Sequence, residues 1–401
     1  MRIAVVNNFF PPRVGGSSHL SHSLAVGYAR AGHEVVVITA TYKDAEPYEE
    51  QDGLKIFRLQ AVPMPATRLA VSFDMAFTIR PSLPRRIAEI LDPFQPDVIH
   101  QHGQFFDLTW ATGLYAKRRG IPTLLSVHTR LESPTPSYAR IFRMLDGAMV
   151  APVLRRYRPT FVVMDVQMDA YIRQRYRRAI GGMVDIPVGV NIQGLSGGDA
   201  ERVRSLHDIP ADAPIILSLG HVIQMRDRVT LVEALPMLRE RHPDAKVVIV
   251  GGAYFTRFET RAQELGVADM IISVGAVPRA EIRDYLAAAT VECHDLDGYG
   301  LGTASLEAMA AGVPVVAAVR ADNFGGITLH DGRDIVLVPA RSPVELADAL
   351  GRVLSDPTLA AEVGDGGREL VSKNFTIEAV LDRHLEVLES MAERGAGHGD
   401  V

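Results

Sequence analysis

Two glycine-rich stretches could bring backbone N–H groups up to an anion. Gly15 and Gly16 follow the first apolar run of the chain, and Ser17 or Ser18 can cap the helix predicted after them. The second stretch, Asp295–Ala317, reads DLDGYGLGTASLEAMAAGVPVVA and places closely spaced glycines before an alanine-rich helix. Because the positive end of a helix favours negative groups, both stretches predict phosphate binding.

One acid, Glu307, interrupts the alanine-rich helix predicted in the second stretch. Near the N-terminus of a helix, a carboxylate is stabilised by the helix dipole without any ligand. A carboxylate can also accept charge-assisted hydrogen bonds from two neighbouring hydroxyl groups of a ligand. The helix taken alone favours the first interpretation, so the choice depends on the surrounding pattern.

The elements that position these residues belong to a globular chain of ordinary composition. It has 401 residues, of which 47% are hydrophobic, and a formal net charge of −6. This length is enough for two or three domains, and the mild acidity argues against a nucleic-acid partner.

Cellular location is indicated by the single cysteine and by the N-terminus. Cys293 cannot form an internal disulfide, as is typical of cytosolic proteins. The first apolar run is too short for a signal peptide or a membrane-spanning helix. We therefore expect a cytoplasmic protein and leave open a peripheral contact with the inner face of the membrane.

Short runs rich in β-branched residues alternate with amphipathic segments in two series. The first series begins with RIAVVN and EVVVIT, and the second begins with PIILSL and KVVIVGG. Such runs are typical of parallel strands buried on both faces, with helices covering the sheet. The alternation predicts two Rossmann-like domains, 1–189 and 190–375, because periodicity lapses in the polar, glycine-rich segment 189–212. An amphipathic helix over 376–395 is expected to pack back on the first domain.

Open parallel sheets bind ligands beyond the carboxyl ends of their strands, so two facing domains predict a cleft at those ends. A nicotinamide or flavin oxidoreductase is one interpretation of such a chain. No G-x-G-x-x-G follows the first strand, however, and GYGLGTAS is only a weak match late in the second series. The dinucleotide interpretation is therefore disfavoured.

Motifs along nearly the whole chain resemble those of the family-four glycosyltransferases. FFPPRVGGSSHLSHSLAVGYARAGHEVVVIT is similar to the family's opening pattern of paired prolines, paired glycines, a helix, Gly-His and a second strand. PDVIHQHG resembles the family's strand followed by histidine, and VGVN resembles the turn that closes the first domain. The family's nucleotide-side segments are similar to GAVPRAEIRDYLAAATV and SLEAMAAGVPVVA in this chain. Its penultimate helices are similar to SPVELADALGRVLSDP.

The resemblance implies a fold and an activity. The fold is α/β of the GT-B type, with two Rossmann-like, doubly wound parallel-sheet domains facing across a cleft. The activity is that of a retaining, hexosyltransferase-like glycosyltransferase, which moves a sugar from a nucleoside diphosphate sugar to an acceptor. The resemblance implies no metal and no cofactor besides this donor, and a UDP-sugar is favoured over a GDP-sugar.

The same resemblance assigns roles around the second glycine-rich stretch. Glu307 matches the family's second motif glutamate, which accepts hydrogen bonds from ribose hydroxyls. The first N–H groups of the helix would face the diphosphate, which makes the backbone, rather than the side chains, important there. The further residues placed on the nucleotide-sugar side are Gly15, Gly16, Gly220, Ala276, Val277, Gly302, Thr303, Ala304 and Ser305.

The chain departs from the family at the first motif glutamate. In the family, seven residues separate the first motif glutamate from the second. Counted back from Glu307, this spacing leads to Tyr299, which has no carboxylate. Nine residues separate Asp297 from Glu307, so the loop is two residues longer, and Asp297 is expected to hold donor-sugar hydroxyls. Asp295 is the alternative, and a further possibility is that both aspartates only cap turns around Gly298.

A second departure concerns the cations that would face the diphosphate. The family has an arginine after a glycine and a lysine five residues later; in this chain these positions are His221 and Arg226. Arg226 can bind two phosphate oxygens and is always charged, and Arg228 is a further candidate. His221 donates a hydrogen bond only in the right tautomer or when protonated. Arg226 and Arg228 could also simply begin a solvated helix.

Histidines end two strands of the first series. His128 matches the family histidine that lies against the donor sugar, so His128, Asp297 and Arg226 are the predicted catalytic residues. His102 is a weaker candidate, and His100 is interpreted as a core histidine. The sequence shows no Ser-His-Asp grouping and no Cys/His metal spacing elsewhere.

The acceptor is not determined by the sequence and could be a small molecule, a glycan or a lipid. Two segments, 61–86 and 129–159, are plausible walls of its site, and the second carries basic and apolar residues suited to an anionic membrane surface. It could equally be an ordinary surface helix. Alternative functions are a sugar-nucleotide epimerase or phosphorylase of the same fold, and a non-catalytic sugar-nucleotide binder.

Overall fold

The computed structural model describes residues 1–13, 15–63, 76–78, 80–133, 135–226 and 228–396. The chain divides into two compact units. Unit 1 comprises Met1–Pro187 together with Val380–Val401, and unit 2 comprises Val188–Ala379. Unit 1 is therefore built from the two ends of the chain. Half of the acceptor segment expected at 61–86, namely 64–75 and 79, lies outside the described residues.

Unit 1 is an α/β unit. Its strands are β1 (Arg2–Asn7), β2 (Glu34–Ala40), β3 (Tyr48–Gln51), β4 (Leu54–Leu59), β5 (Val62–Pro63), β6 (Ala76–Phe77), β7 (Val98–His102), β8 (Thr123–Ser126), β9 (Thr160–Val163) and β10 (Gly182–Asp185). Its helices are α1 (Gly16–Arg30), α2 (Leu83–Phe94), α3 (Asp107–Arg119), α4 (Pro136–Leu145), α5 (Ala151–Tyr157) and α6 (Val166–Tyr176).

Unit 2 has the same alternation. Its strands are β11 (Ile215–Leu219), β12 (Lys246–Val250), β13 (Ile271–Gly275), β14 (Val291–Glu292), β15 (Val316–Ala317) and β16 (Val336–Leu337). Its helices are α7 (Ala200–Leu206), α8 (Val229–Arg241), α9 (Arg257–Glu264), α10 (Ile282–Ala288), α11 (Thr303–Ala311), α12 (Pro343–Ser355) and α13 (Pro357–Asn374). The last helix, α14 (Ile377–Ala396), begins at the end of unit 2 and continues into unit 1.

Each unit has a largely parallel sheet. In unit 1 the strand order is β10-β9-β8-β7-β1-β2-β4-β3, and only the β3–β4 pair is antiparallel among these neighbours. In unit 2 the order is β13-β12-β11-β14, with every pair parallel. A parallel bridge from Glu292 to Val315 leads on to the β15–β16 pair. Parallel strands end at the same edge, so each sheet gathers its strand-end loops on one side.

The central strands of unit 2, β11 and β12, are buried on both faces, which explains their lack of polar alternation. Ile216 and Ile249 point into one apolar cluster, with α8 and α12. Leu217 and Leu219 point into a second cluster, with α10 and α11. Helices thus cover both faces of the sheet, as the sequence pattern predicts. Across the described part of the chain, no helix combines the length and the apolarity needed to cross a membrane.

Candidate active site

Glycines shape the carboxyl edge of the unit 2 sheet. Gly220 follows β11, Gly251 follows β12 and Gly275 ends β13. All three glycines have positive φ angles. A Cβ atom on Gly251 would lie 2.4 Å from the Gly220 carbonyl oxygen, so no larger residue fits at this crossing. The backbone can therefore turn sharply at the end of the strands, where a ligand can approach the main chain.

The helix α11 begins at this edge. Gly302 is its N-cap, and the N–H of Gly302 donates to Oδ2 of Asp295 at 2.5 Å. The N–H groups of Thr303, Ala304 and Ser305 belong to the first turn, where no earlier helical carbonyl can accept them. At the other end, Gly312 terminates the helix in the left-handed conformation. The glycines and alanines thus define a short helix whose N-terminus can receive an anion.

Arg226 lies at the same place. Its Nε is 3.0 Å from Oδ1 of Asp295, an ion-pair distance at which the N–H does not point along a hydrogen bond. A Cβ atom on Gly302 would lie 2.9 Å from Nη1 of Arg226, so the guanidinium lies directly over the helix N-terminus. The structure therefore brings together the predicted arginine, the glycine-rich loop and the predicted helix start.

Asp295 contacts both Arg226 and the N-terminus of α11. The residue is 3% exposed and also accepts from the hydroxyl of Ser305 at 3.1 Å. Burial alone would raise the pKa of Asp295, but His294, Arg226 and the Gly302 N–H stabilise its charge and hold the pKa below its ordinary value. Asp295 is thus an ionised anchor for both the loop and the helix.

Arg228 is buried and holds the loop rather than pointing out of it. Its Nη1 donates to the Arg226 carbonyl and its Nη2 to the Gly220 carbonyl, both at 3.0 Å. Burial lowers the pKa of Arg228 to about 10, against the opposing effect of the Glu292 and Asp295 carboxylates, so it stays charged at neutral pH. Its hydrogen bonds fix Gly220 and Arg226 in place.

His221 is exposed and accepts a hydrogen bond. The Gly252 N–H donates to His221 Nδ1 at 3.2 Å, which leaves Nε2 as the protonated nitrogen of a neutral ring. The ring also contacts Tyr254 edge to face, with centroids 5.5 Å apart. His221 can donate one hydrogen bond in this form, but it does not carry the positive charge of the family arginine.

Glu307 lies one turn into α11 and is 8% exposed. Its Oε1 accepts from Nη1 of Arg279 at 2.6 Å. Burial raises the pKa of Glu307, and Arg279 partly opposes this by stabilising the carboxylate. Arg279 follows the segment with Ala276 and Val277 at the end of β13, so this contact joins the two predicted nucleotide segments. No spacing pattern along the chain singles out Arg279.

Asp297 lies farther along the same loop. Its Oδ1 is 3.1 Å from Nε of Arg341, and Tyr299 also interacts with Arg341. Positive φ angles at Gly298 and Gly300 allow the loop to turn on either side of Tyr299. The loop thus presents two aspartates, Asp295 at the helix N-terminus and Asp297 against Arg341.

A buried polar cluster lies between β14 and α11. His294 Nδ1 is 2.5 Å from Oε1 of Glu292, and the Ser305 hydroxyl donates to Oε2 of Glu292 at 3.0 Å. Glu292 and Ser305 have no exposed surface, and His294 is 2% exposed. The signal in the sequence was the alternation of polar residues in ECHD, which is unusual for a strand expected to be apolar.

In unit 1, the glycine pair stands at the start of α1. Gly15 is the N-cap, and a Cβ on either Gly15 or Gly16 would meet nothing within 4 Å. Asn7, at the end of β1, donates to the carbonyl and hydroxyl oxygens of Ser17. The glycines therefore leave open space at a second helix N-terminus next to the end of a parallel strand.

Four histidine rings form a row inside unit 1. His102 Nδ1 is 2.8 Å from His128 Nε2, and these two rings are parallel with centroids 5.1 Å apart. His100 lies next to His102 on one side and next to His384, from α14, on the other. His100 also bonds Tyr28 and Ser126, at 3.0 and 2.9 Å. His128 is thus held by His102.

Burial keeps this row neutral. It lowers the pKa of His128 and of His384 to about 4, and it holds the pKa of His100 and His102 well below the ordinary value, with further lowering by neighbouring histidines. Within the described ranges, no group of three or more His, Cys, Asp or Glu side chains is arranged to hold a metal ion.

Two family models match most of the chain. Residues 15–180 match the model described as "Glycosyl transferase 4-like domain", and residues 199–370 match "Glycosyl transferases group 1". The chain therefore belongs to the family-four glycosyltransferases, as its motifs indicate. It is a retaining transferase that takes its sugar from a nucleotide sugar.

Among curated relatives, two are each 29% identical over 404 residues. One is the GDP-mannose-dependent alpha-(1-6)-phosphatidylinositol monomannoside mannosyltransferase of Mycolicibacterium smegmatis, with 97% of this chain and 98% of the relative covered. The other is D-inositol 3-phosphate glycosyltransferase of Acidothermus cellulolyticus, with 93% of this chain and 86% of the relative covered. Both are transferases, so neither favours the epimerase, phosphorylase or binder alternatives.

Solved structures show the fold. The sucrose-phosphate synthase of Thermosynechococcus elongatus is 23% identical with a TM-score of 0.70, covering 98% of this chain and 99% of that one. HepE of Anabaena in complex with UDP is 17% identical with a TM-score of 0.71, covering 97% and 100%. The predicted GT-B fold with two Rossmann-like domains is confirmed.

Proposed function

We propose that unit 2 binds the nucleoside diphosphate part of the donor at the N-terminus of α11. Glu307 accepts hydrogen bonds from the ribose hydroxyls, and Arg226 with the N–H groups of Thr303, Ala304 and Ser305 binds the diphosphate. The observation that carries this proposal is the position of the Arg226 guanidinium, over Gly302 and paired with Asp295. Charge and backbone donors then meet where the anion would lie.

Arg279 adds a feature to the ribose site. It already pairs with Glu307, so a ribose bound there competes with or joins an existing ion pair. The Arg279 side chain is 55% exposed and can move, whereas Glu307 is held by α11. The carboxylate is therefore fixed in position before the donor arrives, and it is kept ionised by its partner.

The proposed chemistry is substitution at the anomeric carbon with retention. The bond from this carbon to the diphosphate breaks, the bond to the acceptor oxygen forms on the same face, and the departing phosphate oxygen takes the acceptor proton. No protein nucleophile is required, so positioning and charge stabilisation provide the catalysis. In unit 1, His128 is the residue proposed to fix the donor sugar, with Gly15 and Gly16 leaving room for its approach.

The proposal extends to the identity of the donor's base and sugar. The family resemblance favours a UDP-sugar, but relatives from Mycolicibacterium smegmatis and Mycobacterium tuberculosis, each 29% identical, are named for GDP-mannose, and this supports a guanosine diphosphate sugar. A thermal-shift panel of GDP-mannose, UDP-glucose and ADP-glucose tests it, because a bound ligand raises the unfolding temperature by mass action. Stabilisation by UDP-glucose alone would return the assignment to uridine.

The acceptor is proposed to be an inositol-containing lipid or inositol phosphate at a membrane surface. The named acceptors of the relatives support this class. So does α4, in which no residue is buried and Arg140 and Arg143 accompany Met144, which is 62% exposed. Basic and apolar side chains on one short helix suit an anionic lipid surface.

Calorimetry on variants tests the diphosphate site. We expect Arg226→Ala and Glu307→Ala each to weaken GDP binding by about 1.5–3 kcal/mol, the scale for a lost hydrogen bond to a charged group. Arg241→Ala is the matched control, because Arg241 pairs with the exposed Asp348 on the same unit. Unchanged affinity in folded Arg226→Ala and Glu307→Ala proteins would contradict the site.

A further inference from the structure

We propose that His294 and Glu292 form a charged pair that tunes the diphosphate site, so that His294 supplies the positive charge absent at His221. This inference rests on the proposed diphosphate site. His294 is a positioning residue in this proposal, because it acts through Asp295 and Arg226. The chemical class of ligand is unchanged: a nucleoside diphosphate or its sugar.

The contacts of the ring indicate its charged form. Glu292 Oε1 lies 2.5 Å from Nδ1 of His294, and a carboxylate oxygen can only accept, so Nδ1 carries a proton. On the other side, Asp295 Oδ2 lies 3.4 Å from Nε2. A neutral ring would place an unprotonated nitrogen against that carboxylate oxygen, and the two acceptors would repel each other. The imidazolium is therefore the form that suits both neighbours.

The location of the ring connects it with the ligand. His294 Nε2 is buried and has no hydrogen-bond partner among the described residues. It lies 3.6 Å from the point where a Cβ on Gly220 would be, and the Ala304 Cβ lies 3.8 Å from the same point. Gly220 follows β11 and Ala304 is in the first turn of α11. The unpartnered nitrogen therefore lies under the backbone that faces the proposed diphosphate.

The balance of charge explains why a buried imidazolium is useful here. Among the described side chains of this cluster, Arg226 and Arg228 are positive, whereas Glu292 and Asp295 are negative. Without His294 these charges cancel, and an arriving diphosphate would meet two buried carboxylates under α11. One proton on His294 restores a positive excess. Since charges interact strongly away from water, a single charge at this place matters for binding an anion.

Because His221 is neutral, the positive charge that the family arginine has at this position is left to another residue. Its Nδ1 accepts the Gly252 N–H, so His221 offers one neutral donor at the position where the family has an arginine. Arg228 is 2% exposed and each of its terminal nitrogens donates to a backbone carbonyl, so it holds the loop from inside the unit. His294 is the remaining basic group that contacts the anchor Asp295, and it does so from inside the unit.

A double-mutant cycle separates this electrostatic role from simple packing. GDP binding is measured by calorimetry at pH 7 for the full chain and for His294→Asn, Glu292→Gln and the double variant. His294→Asn keeps a donor near Nδ1 but removes the charge, and we expect it to weaken GDP binding about tenfold or more. The double variant removes one positive and one negative charge, so we expect affinity within about threefold of wild type.

Glu292→Gln alone keeps the test decisive if His294→Asn fails to fold. It removes a negative charge under the helix, so we expect GDP to bind at least as tightly as in the wild type. Weaker binding by Glu292→Gln, or a double variant as weak as His294→Asn, would overturn the proposal and assign the cluster a packing role. Replacing the remote pair His330 and Asp334, whose atoms lie 2.8 Å apart, is the matched control.

GDP binding by Arg226→Ala, measured in parallel, distinguishes a failure of the proposed diphosphate site from a failure of the proposed role of His294. If Arg226→Ala binds GDP as the wild type does, the diphosphate site itself is misplaced. If Arg226→Ala is weakened but His294→Asn is not, only the role of His294 is wrong. The salt dependence gives a second readout, since we expect a smaller loss of GDP affinity with added salt in His294→Asn than in wild type.

Discussion

At the scale of single residues, the loop with two aspartates offers the clearest separation of roles. Asp295 is buried and contacts Arg226, Gly302 and Ser305, whereas Asp297 lies against the more exposed Arg341. An acid that holds Arg226 supports the diphosphate. An acid that contacts only the sugar would leave the free nucleotide unaffected.

We predict that Asp297→Asn keeps GDP affinity near that of the wild type but lowers sugar transfer by about one to two orders of magnitude. The reason is that a misplaced anomeric carbon loses the orientation on which the reaction depends. Isothermal calorimetry with GDP and a steady-state transfer assay measure the two effects. Asp322→Asn, which alters an exposed ion pair with Arg320, is the control.

Asp295→Asn should behave differently. We expect it to weaken GDP binding, because Arg226 loses its ionic partner and the Gly302 N–H loses a charged acceptor. Normal transfer by Asp297→Asn together with an inactive but nucleotide-binding Tyr299→Phe would contradict the assignment, and it would give the sugar contact to Tyr299. Equal loss of GDP binding in the Asp297 and Tyr299 variants would make the loop structural.

Residue-level prediction from the sequence reached the groups now proposed to face the ligand, but not the groups behind them. Arg226 and Glu307 occupy motif positions, so pattern alone located them. Glu292, His294 and Arg279 act through contacts across the sheet, and their partners are brought together by strand pairing rather than by spacing along the chain. The motif assigns a role only to the backbone of Ser305, yet its hydroxyl oxygen lies 3.0 Å from Oε2 of Glu292 and 3.1 Å from Oδ2 of Asp295, and can donate to either.

At the scale of elements, the sequence predicted the parallel strands well because both of their faces are buried, which removes polar residues from them. The exceptions include β7, which carries His100, Gln101 and His102, and β14, a two-residue strand whose Glu292 faces α11. Its acid is buried because Ser305 and His294 satisfy it, and this compensation depends on the fold. The same limit applied to α4, where the basic and apolar pattern was compatible with a membrane surface or with ordinary solvent exposure.

The exposed side of α4 leads to a prediction about lipid binding. We expect Met144→Ser combined with Met149→Ser to reduce sedimentation with vesicles of phosphatidylcholine and phosphatidylinositol several-fold, because both side chains are exposed apolar groups, Met144 within α4 and Met149 in the helical turn Asp146–Val150 that follows it. Tyr254→Ser is the control, since Tyr254 is 67% exposed on unit 2. Equal binding of all three proteins would show that α4 does not contact lipid.

At the scale of the whole molecule, the neutral histidine row makes the stability of unit 1 depend on pH. His128 and His384 have pKa values lowered to about 4, below the ordinary value of about 6.5 in an unfolded chain. As the pH falls through this interval, the unfolded state binds protons that the folded state does not. The contribution of these neutral histidines to the free energy of unfolding is therefore fully present above about pH 6.5 and is lost as the pH falls towards about 4.

We predict that the urea midpoint of unit 1 falls between pH 7 and pH 5, and that it falls less in His384→Leu. Removing His384 removes one of the groups that protonate on unfolding. Trp110, the single tryptophan, lies in unit 1 and reports its unfolding by fluorescence. Identical pH dependence in the wild type and the variant would show that His384 is not buried in its neutral form.

The core of unit 1 contains residues from both ends of the chain. The side chain of Leu381 lies 2.6 Å from the Cβ position of Gly27, and Val380 and Leu388 are completely buried. During protein synthesis, the first 187 residues therefore wait while all of unit 2 emerges, which takes roughly 10–40 s at ordinary translation rates. Throughout that interval the nascent unit lacks α14 and exposes apolar surface to chaperones and proteases. A stop codon at Val380 would remove these buried residues and would accordingly damage the part of the protein that was made first.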